Sequence, residues 1–166
     1  MRILFIHQNF PGQYRHIVKA LAKQNNHQII ALGINNLEEP IPKDVQYFQY
    51  RLNQGNTKGI HNLVIETETK VIRGEACAIA ALKLKKQGFE PNIVCAHPGW
   101  GEALFVKDVW PKAPILSYQE FFYQSVGFDY GFDRELQREI SLQDLAKVRM
   151  KNTYNHLMLE ASSWNV

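Results

Sequence analysis

Apolar residues along the chain fall into short continuous runs separated by stretches of helical spacing, and this alternation predicts the order of elements. Arg2 to His7 contains the run Ile3-Leu4-Phe5-Ile6, as expected of a strand buried on both faces, and Gln8 to Gly12 follows as a tight loop. Ile17, Val18, Leu21 and Ala22 then recur at helical spacing and predict a helix from Gln13 to Lys23. Gln28 to Leu32 and Val45 to Tyr50 are two further strands, joined by a loop that starts at Gly33 and runs through Asn, Glu and Pro residues to Lys43.

From His61 to Gln87 the spacing predicts one long helix, with Leu63, Val64, Val71, Ile72, Ile79 and Leu82 as its apolar stripe, Gly74 as its weak point and Gly88 as its stop. Asn92 to Ala96 is a short apolar strand, followed by His97-Pro98-Gly99-Trp100-Gly101 and a helical stretch through Val109. Pro114 to Tyr118 is the next strand, and Gln119 to Asp133 is a connection rich in aromatic residues. Ser141 and Asp144 have capping-box spacing and predict a helix to about Ala161, after which Trp164 to Val166 opens another strand. The predicted fold class is α/β, an open, mostly parallel Rossmann-like sheet with helices on both faces. Ligands of such sheets bind outside the carboxyl ends of the strands, which selects Gln8 to Gln13, His97 to Glu102 and Gln119 to Tyr123.

Composition narrows the classes. The 166 residues suit one domain, and 45% hydrophobic with 21% charged residues suits a soluble globular one. The net charge of +3 comes from basic residues scattered among acids, so nucleic acid is not an expected partner. Lys83, Lys85 and Lys86 sit near a predicted helix end, where cations complement the macrodipole. Cys77 and Cys95, among small or apolar neighbours, fit buried thiols in a reducing compartment, and the expected localisation is cytoplasmic. No run approaches the roughly 20 apolar residues of a membrane span, and membrane association is not indicated.

Each selected loop has a bland and a chemical reading. Asn9, Phe10, Gly12 and Gln13 could present backbone amides to phosphate or sugar hydroxyls, or form a plain turn that needs Gly12. The loop matches neither G-x-G-x-x-G nor a P-loop, so no dinucleotide or cofactor site is expected. His97, Trp100, Gly101 and Glu102 offer an imidazole, an indole face and a carboxylate suited to a sugar, unless His97 only caps the next helix and Trp100 only packs. Glu120, Phe121, Phe122 and Tyr123 place a carboxylate among aromatics. A buried Glu120 would have a raised pKa and could serve as a base, whereas an alternative pairs it with Arg134 or Arg138.

Ala96-His97-Pro98 with Glu102 also resembles in part the signature of zinc-dependent sugar deacetylases, but Gly99 and Trp100 stand where paired aspartates are needed, and no metal site is expected. Asp129 and Asp133 form no Asp-x-Asp motif, and no nucleophile elbow occurs.

Three segments taken together resemble the amino-terminal domain of bacterial family 4 glycosyltransferases: Met1 to His16, Ala96 to Glu102 with Lys107 to Pro111, and Ser117 to Tyr123. The resemblance implies one half of a GT-B enzyme, retaining and metal-independent. A carboxy-terminal domain absent from this chain would hold most of the nucleotide-sugar donor, and this domain would hold a carbohydrate or lipid-linked acceptor. Gly12 and its neighbours would approach the donor phosphates, and His97, Trp100 and Glu102 would line the acceptor side. His97 and Glu120 are the expected catalytic residues. Many relatives place a histidine after the strand equivalent to Pro114 to Tyr118, where this chain has Gln119 and Glu120. The chain alone is expected to be inactive; the alternative is a stand-alone carbohydrate- or nucleotide-binding module without catalysis.

Overall fold

A computed structural model describes residues 1–125, 127 and 140–165. Six parallel strands form one open sheet: β1 Arg2–Ile6, β2 Gln28–Gly33, β3 Val45–Gln49, β4 Ile93–Ala96, β5 Ile115–Ser117 and β6 Trp164–Asn165, in the order β3-β2-β1-β4-β5-β6. Ile3 pairs with Ile29 on one side and Ile93 on the other, which fixes the register of the central strands.

Because successive strand residues point to opposite faces, the apolar runs feed two cores. Leu4, Ile6, Leu32, Val94 and Ile115 point to one face, with Ile3, Phe5, Ile29 and Ala31 on the other. Helix α1, Arg15–Ala22, covers the second face through Val18 and Ala22. The first is covered by α2, Ile65–Lys86, and by α3, Val106–Val109, with Met158 of α5, Thr153–Ala161. The chain runs outward from β1 to β3, and α2 then returns it to β4 beside β1. That reversal puts a topological switch point between β1 and β4.

Two helices differ from the sequence expectation. α2 starts at Ile65 rather than His61, after a turn in which Val64 N–H donates to the His61 carbonyl at 2.8 Å. Of the predicted stripe only Ile72 is buried, and Val71, Ile79 and Leu82 are exposed. The packed face is made of small residues, Gly74, Ala76, Cys77 and Ala81, together with Leu84. Small side chains let two backbones approach closely: a Cβ on Gly74 would lie 2.8 Å from the Gly101 carbonyl oxygen. Gly101 itself has φ +93°, and a Cβ there would lie 2.7 Å from Lys70 Cα.

The second difference is a break in the predicted helix to Ala161. It divides into α4, Leu142–Lys151, and α5, with Asn152 between them. The Ser141–Asp144 capping box starts α4 as the sequence predicts. Asn152 donates from Nδ2 to the Tyr123 carbonyl (2.6 Å) and accepts from Tyr123 N–H at Oδ1 (2.8 Å). This pairing fastens the loop after β5 to the helical break. Asp129, Asp133, Arg134 and Arg138 lie outside the described residues.

Helix propensity alone favours alanine over glycine by about 1 kcal/mol, so the contact at Gly74 can be tested by sign. Gly74→Ala is expected to destabilise the domain by about 1–3 kcal/mol, because backbone must shift to admit the methyl group. A urea midpoint at or above the parent's would contradict the close approach.

Candidate active site

The first polar residue beyond β1 is His7 and the first beyond β4 is His97, so the switch point brings two imidazoles together at 5.4 Å between ring centroids. Both are buried. His7 Nδ1 accepts the backbone N–H of Asn9 at 3.0 Å, and His97 Nδ1 accepts that of Gly99 at 3.2 Å. A backbone N–H only donates, so both rings carry their proton on Nε2. His7 Nε2–H then donates to Gln13 Oε1 at 2.5 Å, and Gln13 Nε2 donates to Glu120 Oε1 at 3.4 Å. His97 Nε2–H donates to Glu120 Oε2 at 3.0 Å. Glu120 therefore accepts from two loops while belonging to a third, and all three selected segments meet along one rim.

Gly12 is required by this arrangement. It has φ +47°, and a Cβ there would lie 2.3 Å from His7 Cε1. Tyr118 stacks on His97 at 6.2 Å. Burial, opposed by the hydrogen bond His7 donates to Gln13 and reinforced by the nearby His97, holds the His7 imidazole below its ordinary pKa.

Beside the rim lies a cleft of about 410 Å³ lined by His97, Trp100, Glu120 and Tyr123 from the loops, Lys70 and Arg73 from α2, and Lys151 and Asn155 from the helical break. Trp100 is 44% exposed, and its ring lies under the Arg73 guanidinium at 5.8 Å. A second depression, on the His7 side, is lined by Asn9, Gly12 and Gln13.

Not every expected residue reaches a cleft. Phe10 is buried and stacks on Tyr47 at 5.9 Å, so it belongs to the core. Gly101 packs on the α2 backbone. Glu102 is also buried, with neither carboxylate oxygen hydrogen-bonded among the described residues. Burial pushes its carboxyl up to about 7, against the pull of the Arg73 charge and of the Tyr50 hydroxyl, which is close but makes no hydrogen bond of ordinary geometry. Glu120 itself is not buried as the base reading supposed: its side chain is 39% exposed. His97 also combines the two readings the sequence left open, because it caps the turn Pro98–Trp100 and still faces Glu120.

The sequence did not single out His7, Lys70, Arg73, Lys151, Asn152 or Asn155. His7 carried a signal, a polar residue ending a buried strand, but the basic residues of α2 and α4 look like those of any solvated helix. Among the described residues no group of three or more His, Cys, Asp or Glu is placed to hold a metal ion, and no helix is long and apolar enough to cross a membrane.

Residues 25–166 match the sequence model of the glycosyl transferase family 4 group. The chain belongs to that family. The match takes in His97, Trp100 and Glu120 and begins after the Gly12 loop. No curated protein matches this family 4 domain. Solved structures similar to it include UGT2 of Phytolacca americana, once complexed with UDP-2-fluoro-glucose and pterostilbene and once in apo form. Each is 13% identical over 70% of this chain, with a TM-score of 0.45, and the match spans 30% and 28% of those chains. UDP-GlcNAc 2-epimerase of Methanocaldococcus jannaschii is 19% identical over 99% of this chain and 38% of its own, with a TM-score of 0.47. The family 4 domain thus spans about a third of the length of these solved proteins.

Glu102 gives a pH test. Its folded pKa lies above the ordinary 4.5, so the stabilisation from holding it neutral is present below about pH 4.5 and lost as pH rises through about 7. Glu102→Gln removes that loss and is expected to gain stability relative to the parent between about pH 5 and pH 8. Urea midpoints at the two pH values check it, and parallel profiles for parent and variant would contradict a buried neutral carboxyl.

Proposed function

We propose that this domain is the acceptor-side half of a retaining, metal-independent hexosyltransferase that uses a nucleotide-sugar donor. The observation that carries the reading is Glu120, held at the sheet rim by His97 and Gln13 beside a cleft with an exposed indole. An indole face covers the apolar side of a pyranose, and the neighbouring carboxylate and amides match its hydroxyls. In this reading Trp100 and Tyr123 bind the acceptor, and Glu120, oriented by His97, accepts a hydrogen bond from its reacting hydroxyl. Asn9, Gly12 and Gln13, across the rim, face the donor.

The donor itself is held mainly by a second domain. Glycosyl transfer requires stabilisation of a developing oxocarbenium ion and a departing diphosphate, and one half-cleft does not surround both. The family membership supports glycosyl transfer over a module that only binds. The proposed setting is the cytoplasm, in keeping with two buried free thiols.

Saturation-transfer NMR against a glycan panel, with calorimetry for UDP-glucose, tests the division of labour. The 166-residue chain is expected to bind carbohydrate through Trp100 and Tyr123, to bind UDP-glucose much more weakly, and to transfer no sugar. Trp100→Ala is expected to weaken glycan binding about tenfold, the usual cost of removing an aromatic anchor. Tight UDP-glucose binding, or turnover by this chain alone, would overturn the assignment.

A further inference from the structure

The wall of the cleft opposite the strand ends carries a concentration of charge that acceptor hydroxyls do not require. Lys70 and Arg73 stand one turn apart on α2, and Lys151 at the end of α4 faces them across the cleft. Lys70 is only 9% exposed, with its Nζ 5.1 Å from the centre of the Tyr154 ring. Arg73 donates from Nη1 to Gln8 at 2.9 Å, lies over Trp100, and has a buried Nε with no hydrogen-bond partner among the described residues. Lys151 lies over the Tyr123 ring at 5.0 Å and 4.0 Å from Glu66.

Compensation by acids is incomplete. Among the described residues neither Lys70 nor Arg73 has a carboxylate within 4.0 Å. Glu66, which lines the same cleft, lies 4.0 Å from Lys151, and Glu120 already accepts from His97 and Gln13. Burial lowers the Lys70 pKa, Glu66 raises it, and Lys151 and Arg73 lower it further. The fold thus gathers three cations against their mutual repulsion in a concave site with aromatic sides, and a cation as buried as Lys70 binds an anion more strongly than an exposed one does.

We propose that Lys70, Arg73 and Lys151 form an anion subsite that holds a phosphate group carried by the acceptor. The inference rests on the acceptor reading of the cleft and adds the charge of the ligand: the acceptor is a phosphorylated sugar or polyol, free or lipid-linked, with its ring on Trp100 and its phosphate among the three cations. A tetrahedral phosphate offers oxygens in several directions at once, which suits cations converging from two helices.

Calorimetry with glucose 6-phosphate, glucose and UDP tests the subsite, with glucose standing in for the unidentified sugar. Glucose 6-phosphate is expected to bind at least about tenfold more tightly than glucose, as charge-assisted hydrogen bonds imply. Lys151→Gln, a change at a partly exposed position, and Arg73→Gln should each weaken glucose 6-phosphate about tenfold and glucose far less. Melting temperatures of both variants separate this from unfolding. Sedimentation with phosphatidylcholine vesicles, with and without phosphatidic acid, distinguishes the sources: retention that needs phosphatidic acid and Lys151 assigns a lipid-linked phosphate, and its absence alongside glucose 6-phosphate binding assigns a soluble one. Equal affinity for glucose and glucose 6-phosphate overturns the anion subsite and leaves the acceptor cleft standing. Tighter binding of UDP than of glucose 6-phosphate, lost in Lys151→Gln, would place the donor diphosphate there and overturn both. Binding of none of these probes also contradicts both.

Discussion

The hydrogen bonds that converge on Glu120 make one site of three loops. Each loop leaves a different strand, and nothing in parallel strand pairing dictates that their side chains should meet. The carboxylate accepts from Gln13 and His97, Gln13 accepts from His7, and backbone amides of Asn9 and Gly99 set which nitrogen of each histidine carries the proton. The direction of donation is consistent from end to end, from two neutral histidines toward one carboxylate. Charge-assisted bonds to Glu120 are stronger than neutral ones, which lets a half-exposed side chain organise two buried rings.

Behind this rim, the close packing of α2 decides what faces the cleft. Gly74 and Gly101 allow the helix to approach the segment after β4 at backbone distance, and that approach carries Lys70 and Arg73 to the edge of the site. It also seals Glu102 beneath the floor, where burial raises the carboxyl pKa and the side chain plays no part in lining the cleft. On the opposite wall, Asn152 and Asn155 fix the loop after β5 by bonding to the backbone of Tyr123 and Phe121. The site is thus built by backbone contacts at small or amide residues, with Trp100 and Tyr123 lying under the cations of the cleft wall.

Much of the fold was legible because continuous apolar runs report strands buried on both faces. Every strand from Arg2 to Ser117 falls within a residue or so of its expected span, and the strand at Trp164 pairs as expected. The long helix was legible as a helix but not as to its packed face. Hydrophobic spacing picks out large residues such as Ile79 and Leu82, whereas a helix seated tightly on its neighbours uses glycine and alanine there. The break at Asn152 was hidden for a related reason: the flanking periodicity is helical, and the cause lies in a loop about thirty residues earlier in the chain.

The site was legible as three strand-end segments and not as a set of contacts. His97, Glu120, Trp100 and Tyr123 come together, while Phe10, Gly101 and Glu102 in the same motifs turn inward. Adjacent residues in a loop point in different directions, and no periodicity tells them apart. The central claim, that Glu120 joins the loops through His97 directly and through Gln13 to His7, with both histidines protonated on Nε2, is most directly tested by long-range ¹H–¹⁵N NMR of the imidazoles near neutral pH. The account predicts the Nε2–H tautomer for both His7 and His97, with the His97 signals shifting in Glu120→Gln. An Nδ1–H tautomer at either ring, or a His97 spectrum indifferent to Glu120, would contradict it.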